Sequence, residues 1–368
     1  MTNGPQSREV LPPGTVLGGT YRLTRLLGEG GMGAVYEAYH ASAGKRVAVK
    51  VMHRGLLAYP ELSARFRREA KVTSELNHPN VVKVYDLGFG AAGEPYLVME
   101  FLEGEDLQTR LERGGPMPLP TVVQIVNQVA AALAEAHTAS IVHRDLKPDN
   151  VFLVAEPDAA VFAKVVDFGI SKVLKVSATK LTVARALIGT PEFMAPEQAE
   201  GRHDQIDHRT DQWSLACVAW VALTGCLPFS GPDANATLNQ VISGVPTPPA
   251  AGAPRIPPEV EAVLRRAMSR RSLDRFPTIR AFARYFEGAA AQVQAVPPAV
   301  AVPVPDARAA AAEPGRERPA PRRRRVSVAL ATVVAVALPI LAGAAWFLRD
   351  RPPVSTYLQN ARALLQGR

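Results

Sequence analysis

Ten consecutive residues, Ile141-Val142-His143-Arg144-Asp145-Leu146-Lys147-Pro148-Asp149-Asn150, restrict this chain more than any other stretch of it. They bring a carboxylate, an ammonium and a carboxamide together between Asp145 and Asn150. Upstream, Val122, Ile125, Val126, Val129 and Leu133 recur at the spacing of one helical face. Downstream, Val151-Phe152-Leu153-Val154 and Lys164-Val165-Val166 read as the two arms of a short hairpin. A helix must therefore deliver a polar loop to a strand. The groups in that loop are complementary. Asp145 can orient a hydroxyl and accept its proton, Lys147 can meet a terminal phosphate, and Asn150 can hold a metal ion.

Other segments supply what such a loop needs. The stretch Gly28-Glu29-Gly30-Gly31-Met32-Gly33-Ala34-Val35-Tyr36 fits G-x-G-x-x-G, and glycines let a backbone approach phosphates closely. A dinucleotide fingerprint would need a helix to begin here. Instead Ala34 to Tyr39 alternates like a strand. In Arg46 to Met52, alternation puts Val47, Val49 and Val51 on one face and Ala48 and Lys50 on the other. A small apolar residue and an ammonium on one face suit a flat purine beside a phosphate. Glu61 to Leu76 is a charged helix whose Glu69 is the candidate partner of Lys50, with Glu61 and Glu75 as alternatives. His78-Pro79-Asn80 ends that helix. Tyr96 to Leu102 is an apolar strand leading to Glu103-Gly104. After the hairpin comes Asp167-Phe168-Gly169. Asp167 and Asn150 supply the one or two protein oxygens that magnesium borrows when phosphates and water fill its other positions. The seven scattered histidines form no further metal site.

Composition sets the remaining limits. Four consecutive arginines, Arg322 to Arg325, carry half of the net charge of +8. Charge concentrated this way, without stacking aromatics or a groove-reading motif, does not point to nucleic acid. Cys217 and Cys226 fall in or beside one apolar helical stretch, roughly 13 Å apart along a helix, too far for a disulfide. The Pro- and Gly-rich residues 1–20 read as a disordered lead-in without a signal peptide. Residues 21–288 have the mixed, periodic character of a folded domain, and 289–325 that of an Ala- and Pro-rich linker. Val326 to Leu348 is free of charge, and as a helix it would be about 34 Å long, enough to cross a bilayer. Pro339 within it is tolerable in lipid, and Trp346 lies where an interfacial aromatic belongs. Seven arginines in 306–325 against four in 349–368 place residues 1–325 in the cytoplasm and 349–368, a short tail, outside it.

These motifs, in this order, make residues 21–288 resemble a bacterial Hanks-type (eukaryotic-like) serine/threonine protein kinase, and the whole chain a transmembrane one. The resemblance implies an α+β, bilobal fold: a β-rich N-lobe at 21–103, a helical C-lobe at 104–288, and one transmembrane helix at 326–348. It implies a catalytic set of Asp145, Lys147, Lys50, Glu69 and Arg144. Leu27, Gly28, Glu29, Gly30, Gly31, Met32, Gly33, Val35, Ala48 and Lys50 would surround ATP. Met99 would be the gatekeeper, with the backbone of Glu100 and Leu102 meeting the adenine edge. Asn150 and Asp167 would hold Mg2+, or Mn2+ in its place. Thr182 would be the activation-loop phosphosite, and Thr190 would bridge Asp145 and Lys147. Asp211 would brace the catalytic loop from below, and Arg275 would pair with Glu197. Lys147 after Arg-Asp-Leu favours Ser/Thr over Tyr substrates. Ala216 departs from the family's glycine after Trp-Ser-Leu. The implied partners are protein substrates, the membrane and a second copy of the chain for trans-autophosphorylation. A pseudokinase would be expected to have lost one of Lys50, Asp145, Asn150 or Asp167, and all are present. A small-molecule phosphotransferase would not need the segment from Gly189 to Glu197, which docks peptides in this family.

Overall fold

The computed structural model describes residues 10–30, 33–52, 74–91, 93–155, 161–168 and 191–295. The apolar run 326–348 and the segments carrying Gly31, Met32, Glu69, Thr182 and Thr190 lie outside them.

The N-terminal part is one antiparallel sheet in the order β1-β2-β3-β4-β6-β5. Its strands are β1 (Val16–Leu17), β2 (Tyr21–Gly30), β3 (Gly33–His40), β4 (Arg46–Met52), β5 (Val84–Phe89) and β6 (Pro95–Glu100). β4 is apolar on both faces because both are covered. Val47, Val49 and Val51 pack with Leu23, Tyr36 and Val98 in one cluster. Ala48 and Met52 pack with Val82, Leu97 and Met99 in another. Residues 10–20, expected as a lead-in, fold onto this sheet instead. Val16 and Leu17 pair with Arg22 and Tyr21, and the Leu11 amide donates to the Tyr36 hydroxyl at 2.8 Å. Proline and glycine content concealed a strand only two residues long.

The helical part carries a small sheet, β7 (Gly104–Asp106), β8 (Val151–Val154) and β9 (Phe162–Val165). Seven helices are described: α1 (Leu107–Gly114), α2 (Leu119–Thr138), α3 (Pro196–Ala199), α4 (His208–Thr224), α5 (Ala234–Ser243), α6 (Pro258–Ala267) and α7 (Ile279–Ala295). α2 is long and apolar enough to cross a membrane. It packs instead against α4, α7 and β9 as a core helix.

α4 is buried on every side from Thr210 to Thr224. A polar amide or hydroxyl enclosed this way is costly unless it finds a hydrogen-bond partner. Gln212 donates to the Phe276 carbonyl at 3.0 Å and accepts from the Phe276 amide at 2.9 Å. The Ser214 hydroxyl donates to the Phe193 carbonyl at 2.9 Å. Asp207 caps the start of α4, and Gly225 ends it in the left-handed conformation. Cys217 is buried and Cys226 partly so, and both are free thiols. α7 runs to Ala295 with Ala289 and Ala290 buried, so the domain extends beyond the expected boundary at 288. Small alanines read as linker composition, yet they fit a close helix contact.

The two parts are joined by more than the chain between them. Asn80 donates to the Ala163 carbonyl at 2.8 Å and to Gln128 at 3.1 Å. Its own carbonyl accepts from the Val165 amide at 2.8 Å. On the other side, Lys164 Nζ lies 2.6 Å from Glu100 Oε1.

Candidate active site

The polar loop leaves α2 through Ser140, at φ 61°, and then runs irregularly to a turn of 3-10 helix at Pro148–Asn150. Arg144 takes φ 63°, a left-handed conformation that costs a non-glycine residue roughly 1–3 kcal/mol. The carboxylate of Asp211, fully buried in the first turn of α4, holds it there. Asp211 Oδ2 accepts from the His143 amide and Oδ1 from the Arg144 amide, each at 2.8 Å. His137 Nε2 lies 2.7 Å from Oδ2. Burial alone would raise the Asp211 carboxyl, but His137, His143 and these hydrogen bonds bring it below the usual carboxylate range. The Arg144 carbonyl accepts from Gln198 of α3 at 3.0 Å, which ties the loop to the segment around Pro196.

Within the loop, Asn150 Nδ2 donates to the Asp145 carbonyl at 2.7 Å, so Oδ1 is the end of that amide suited to a cation. Lys147 Nζ stands 3.7 Å from Asp149 Oδ2. His143 is buried, with its ring 4.9 Å from that of Phe168 and its Nε2 3.2 Å from the Val166 carbonyl.

Asp167 also has a positive φ, 58°. Its Oδ2 receives the Lys50 ammonium at 2.6 Å, joining β4 to the second residue after β9. Burial pushes the Asp167 carboxyl up. The charge and hydrogen bond of Lys50, with lesser help from His143 and Lys147, pull it below the usual range. The Val166 amide, next to Asp167, donates to the Asn150 carbonyl at 3.0 Å, and an ionised carboxylate with a carboxamide oxygen is a donor set that fits Mg2+. Among the described residues no group of three His, Cys, Asp or Glu could hold a metal without phosphate and water ligands.

Above this polar floor lies an apolar cluster that includes Ala48 and Met99, with Val35, Leu102, Phe101 and Val166 packed against it. Four of the residues expected around a nucleotide thus meet on one side of the sheet. The Glu100 amide donates to the Lys83 carbonyl at 2.9 Å, so an adenine contact at Glu100 would fall to its carbonyl. In the glycine loop, Gly28 pairs with Val35, Glu29 with Ala34 and Gly30 with Gly33, and Leu27 is exposed. A Cβ on Gly28 would meet nothing within 4 Å, leaving open space for a ligand. Gly33 differs. A Cβ there would collide with the Val51 carbonyl oxygen and come within 3.0 Å of Met52 Cα.

Glu197 and Arg275 form a bidentate pair, Nη1–Oε1 2.9 Å and Nη2–Oε2 2.8 Å, with both side chains buried. The Thr210 hydroxyl donates to Glu197 Oε1 at 2.8 Å. Burial pushes Glu197 up, and Arg275 with Thr210 more than reverses it. The pair anchors the end of the segment that begins at Pro191.

His137 and Gln198 were not singled out by sequence. His137 reaches Asp211 across 74 residues, and nothing in its local surroundings marks that contact.

A six-stranded antiparallel lobe with a glycine loop, set over a helical lobe that presents Asp145, Lys147, Asn150 and Asp167, defines the bilobal kinase class of protein. A family model described as "Protein kinase domain" matches residues 21–282. The chain belongs to the protein kinase family, in its bacterial Hanks-type branch. Serine/threonine-protein kinase Pkn1 of Myxococcus xanthus is 43% identical over 274 residues, which are 74% of this chain and 39% of that protein. The chain therefore spans well under half the length of that relative. The crystal structure of the Mycobacterium tuberculosis PknI kinase domain is similar with a TM-score of 0.60 at 29% identity, over 76% of this chain and all of that one. The crystal structure of Rad53 in complex with AMP-PNP is similar with a TM-score of 0.60 at 26% identity, over 73% of this chain and 65% of that one.

Proposed function

We propose that this chain is a serine/threonine protein kinase that transfers the γ-phosphoryl group of ATP to protein hydroxyls. The observation that carries the reading is the Lys50–Asp167 contact at 2.6 Å, beside the loop where Asn150 is bonded to the Asp145 carbonyl. On this reading Lys50 is the cation for phosphates, Asn150 and Asp167 offer the cation-binding oxygens, and Asp145 is the proton acceptor. In the proposed step Asp145 orients the Ser or Thr hydroxyl and takes its proton as the oxygen bonds to the γ-phosphorus. The bond from phosphorus to the β–γ bridging oxygen breaks, and ADP leaves. Lys147 offsets charge on the transferred group, and Lys50 positions the α- and β-phosphates, with Glu69 as its expected partner. Mg2+ on Asn150 and Asp167 would neutralise phosphate charge. The names of the relatives and Lys147 after Arg-Asp-Leu support Ser/Thr over Tyr. AMP-PNP in a similar fold supports ATP.

The same reading extends to regulation and location. Phosphate on Thr182 would pair with Arg144, and a second copy of the chain would supply it in trans. Val326 to Leu348 would cross the membrane with the kinase domain in the cytoplasm. Lys50→Met and Asp145→Asn should each abolish incorporation of γ-labelled phosphate by the purified chain. Full incorporation in both would remove the assignment.

A further inference from the structure

Outside the cleft, the helical lobe holds a cavity of about 440 Å3. Arg202, Gln205, Arg270, Arg271 and Leu273 line it, and Glu197 stands in its wall. None of the three arginines has a part in the transfer step.

Two of them already grip an anion. Arg202 and Arg270 both reach the carboxylate of Glu200, the latter at 3.3 Å. The third, Arg271, is 75% exposed, with its Nε 4.0 Å from Asp274 Oδ2. Beside it Leu273 leaves 70% of its surface to solvent. The backbone beneath is fixed. Arg275 donates to the carbonyls of Ser269, at 2.9 Å, and Arg270, at 3.4 Å, while it holds Glu197. On the far side Gly244, at φ +69°, lies so close that a Cβ there would come within 2.8 Å of Arg270 Cβ.

We propose that this cavity docks a phosphorylated peptide segment. Its phosphate monoester would lie against Arg270 and Arg271, and an adjoining apolar side chain would lie on Leu273. A phosphate dianion carries up to twice the charge of Glu200 and offers three acceptor oxygens to guanidinium forks, so it would compete with the resident carboxylate for them. The volume falls in the range of about 300–1,000 Å3 typical of ligand sites, more than a lone phosphate fills. An exposed leucine has no use to a free ion. Glu197 ends the segment that begins at Pro191, so a docked chain would be held next to it. On the kinase reading, this favours protein substrates that already carry one phosphate, by raising their local concentration.

The binding itself needs no catalysis, so it is tested without ATP. The probe is a fluorescent decapeptide with one phosphothreonine followed by leucine, titrated with the full-length chain in detergent. The unphosphorylated decapeptide and inorganic phosphate serve as comparisons. The phosphopeptide should bind at least about tenfold more tightly than its unphosphorylated form, and Arg270→Ala/Arg271→Ala should lose about tenfold. Both side chains are more than half exposed, so the double variant should melt with the parent and phosphorylate a short unphosphorylated peptide normally. Equal binding of the two peptides, or of the two proteins, overturns the proposal. So does competition by inorganic phosphate at the phosphopeptide's own concentration, which would assign the site to the free ion. Loss of transfer in Lys50→Met with intact docking separates the two readings.

Discussion

Arg144 and Asp167, at φ 63° and 58°, hold the polar groups of the cleft in backbone states that side chains rarely adopt. At Arg144 the compensation is visible, because the carboxylate of Asp211 accepts from two successive amides. Asp211→Asn keeps the shape but removes the charge and one acceptor. We expect it to lower stability by about 1–3 kcal/mol and to reduce kcat more than the KM for ATP. If the carboxylate serves to hold the left-handed residue, the effects of Arg144→Gly and Asp211→Asn on stability should not add. Urea unfolding of the four proteins measures that coupling, and strict additivity would show that the charge acts elsewhere. At this scale the sequence was informative wherever a motif was local. Asp145, Lys147 and Asn150 are legible because they fall within six residues. His137 and Gln198 are not, since their contacts span 74 and 54 residues and depend on how α2, α3 and α4 pack.

Among the elements, α3 and α4 are locked together by the Glu197–Arg275 pair and the Thr210 hydroxyl. Glu197 and Asp211 both have carboxyl groups below their ordinary values of 4.5 and 3.8 in the folded chain. The unfolded chain therefore binds more protons in acid. The stability these groups contribute is present above those ordinary values and is lost as pH falls through the lower, folded-state values. The urea midpoint of the parent should thus drop from about pH 5 to about pH 3. Glu197→Gln should flatten the part of that drop due to Glu197. It should also cost about 3–5 kcal/mol at neutral pH, because it leaves Arg275 buried opposite an uncharged amide. An equally steep acid limb in the variant would exclude Glu197 from the titration. Alternation in β4 correctly separated Val47, Val49 and Val51 from Ala48 and Lys50. Element ends were less legible. β1 was hidden by glycine and proline, and the last turns of α7 by an alanine-rich composition shared with linkers.

For the whole molecule, the fold class was readable because five motifs occur in an order that few topologies satisfy. The placement of Lys50 beside Asp167 follows from that order across 117 residues. Residues 296–368 lie outside the described part, and their role stays a proposal. If Val326 to Leu348 spans the bilayer, the full chain should stay with membranes after alkaline carbonate extraction. A chain lacking those residues should be released with its ATP turnover intact. Recovery of the full chain in the soluble fraction would reject the span.

The third glycine of the loop has a different fate from the first two. Gly28 faces open space, whereas Gly33 is wedged against the neighbouring strand. A descendant of this chain that gave up nucleotide would be free to replace Gly28, yet would still have to retain Gly33 to keep β3 and β4 in contact. Survival of that one position in a diverged copy would therefore report an intact sheet and say nothing of surviving chemistry.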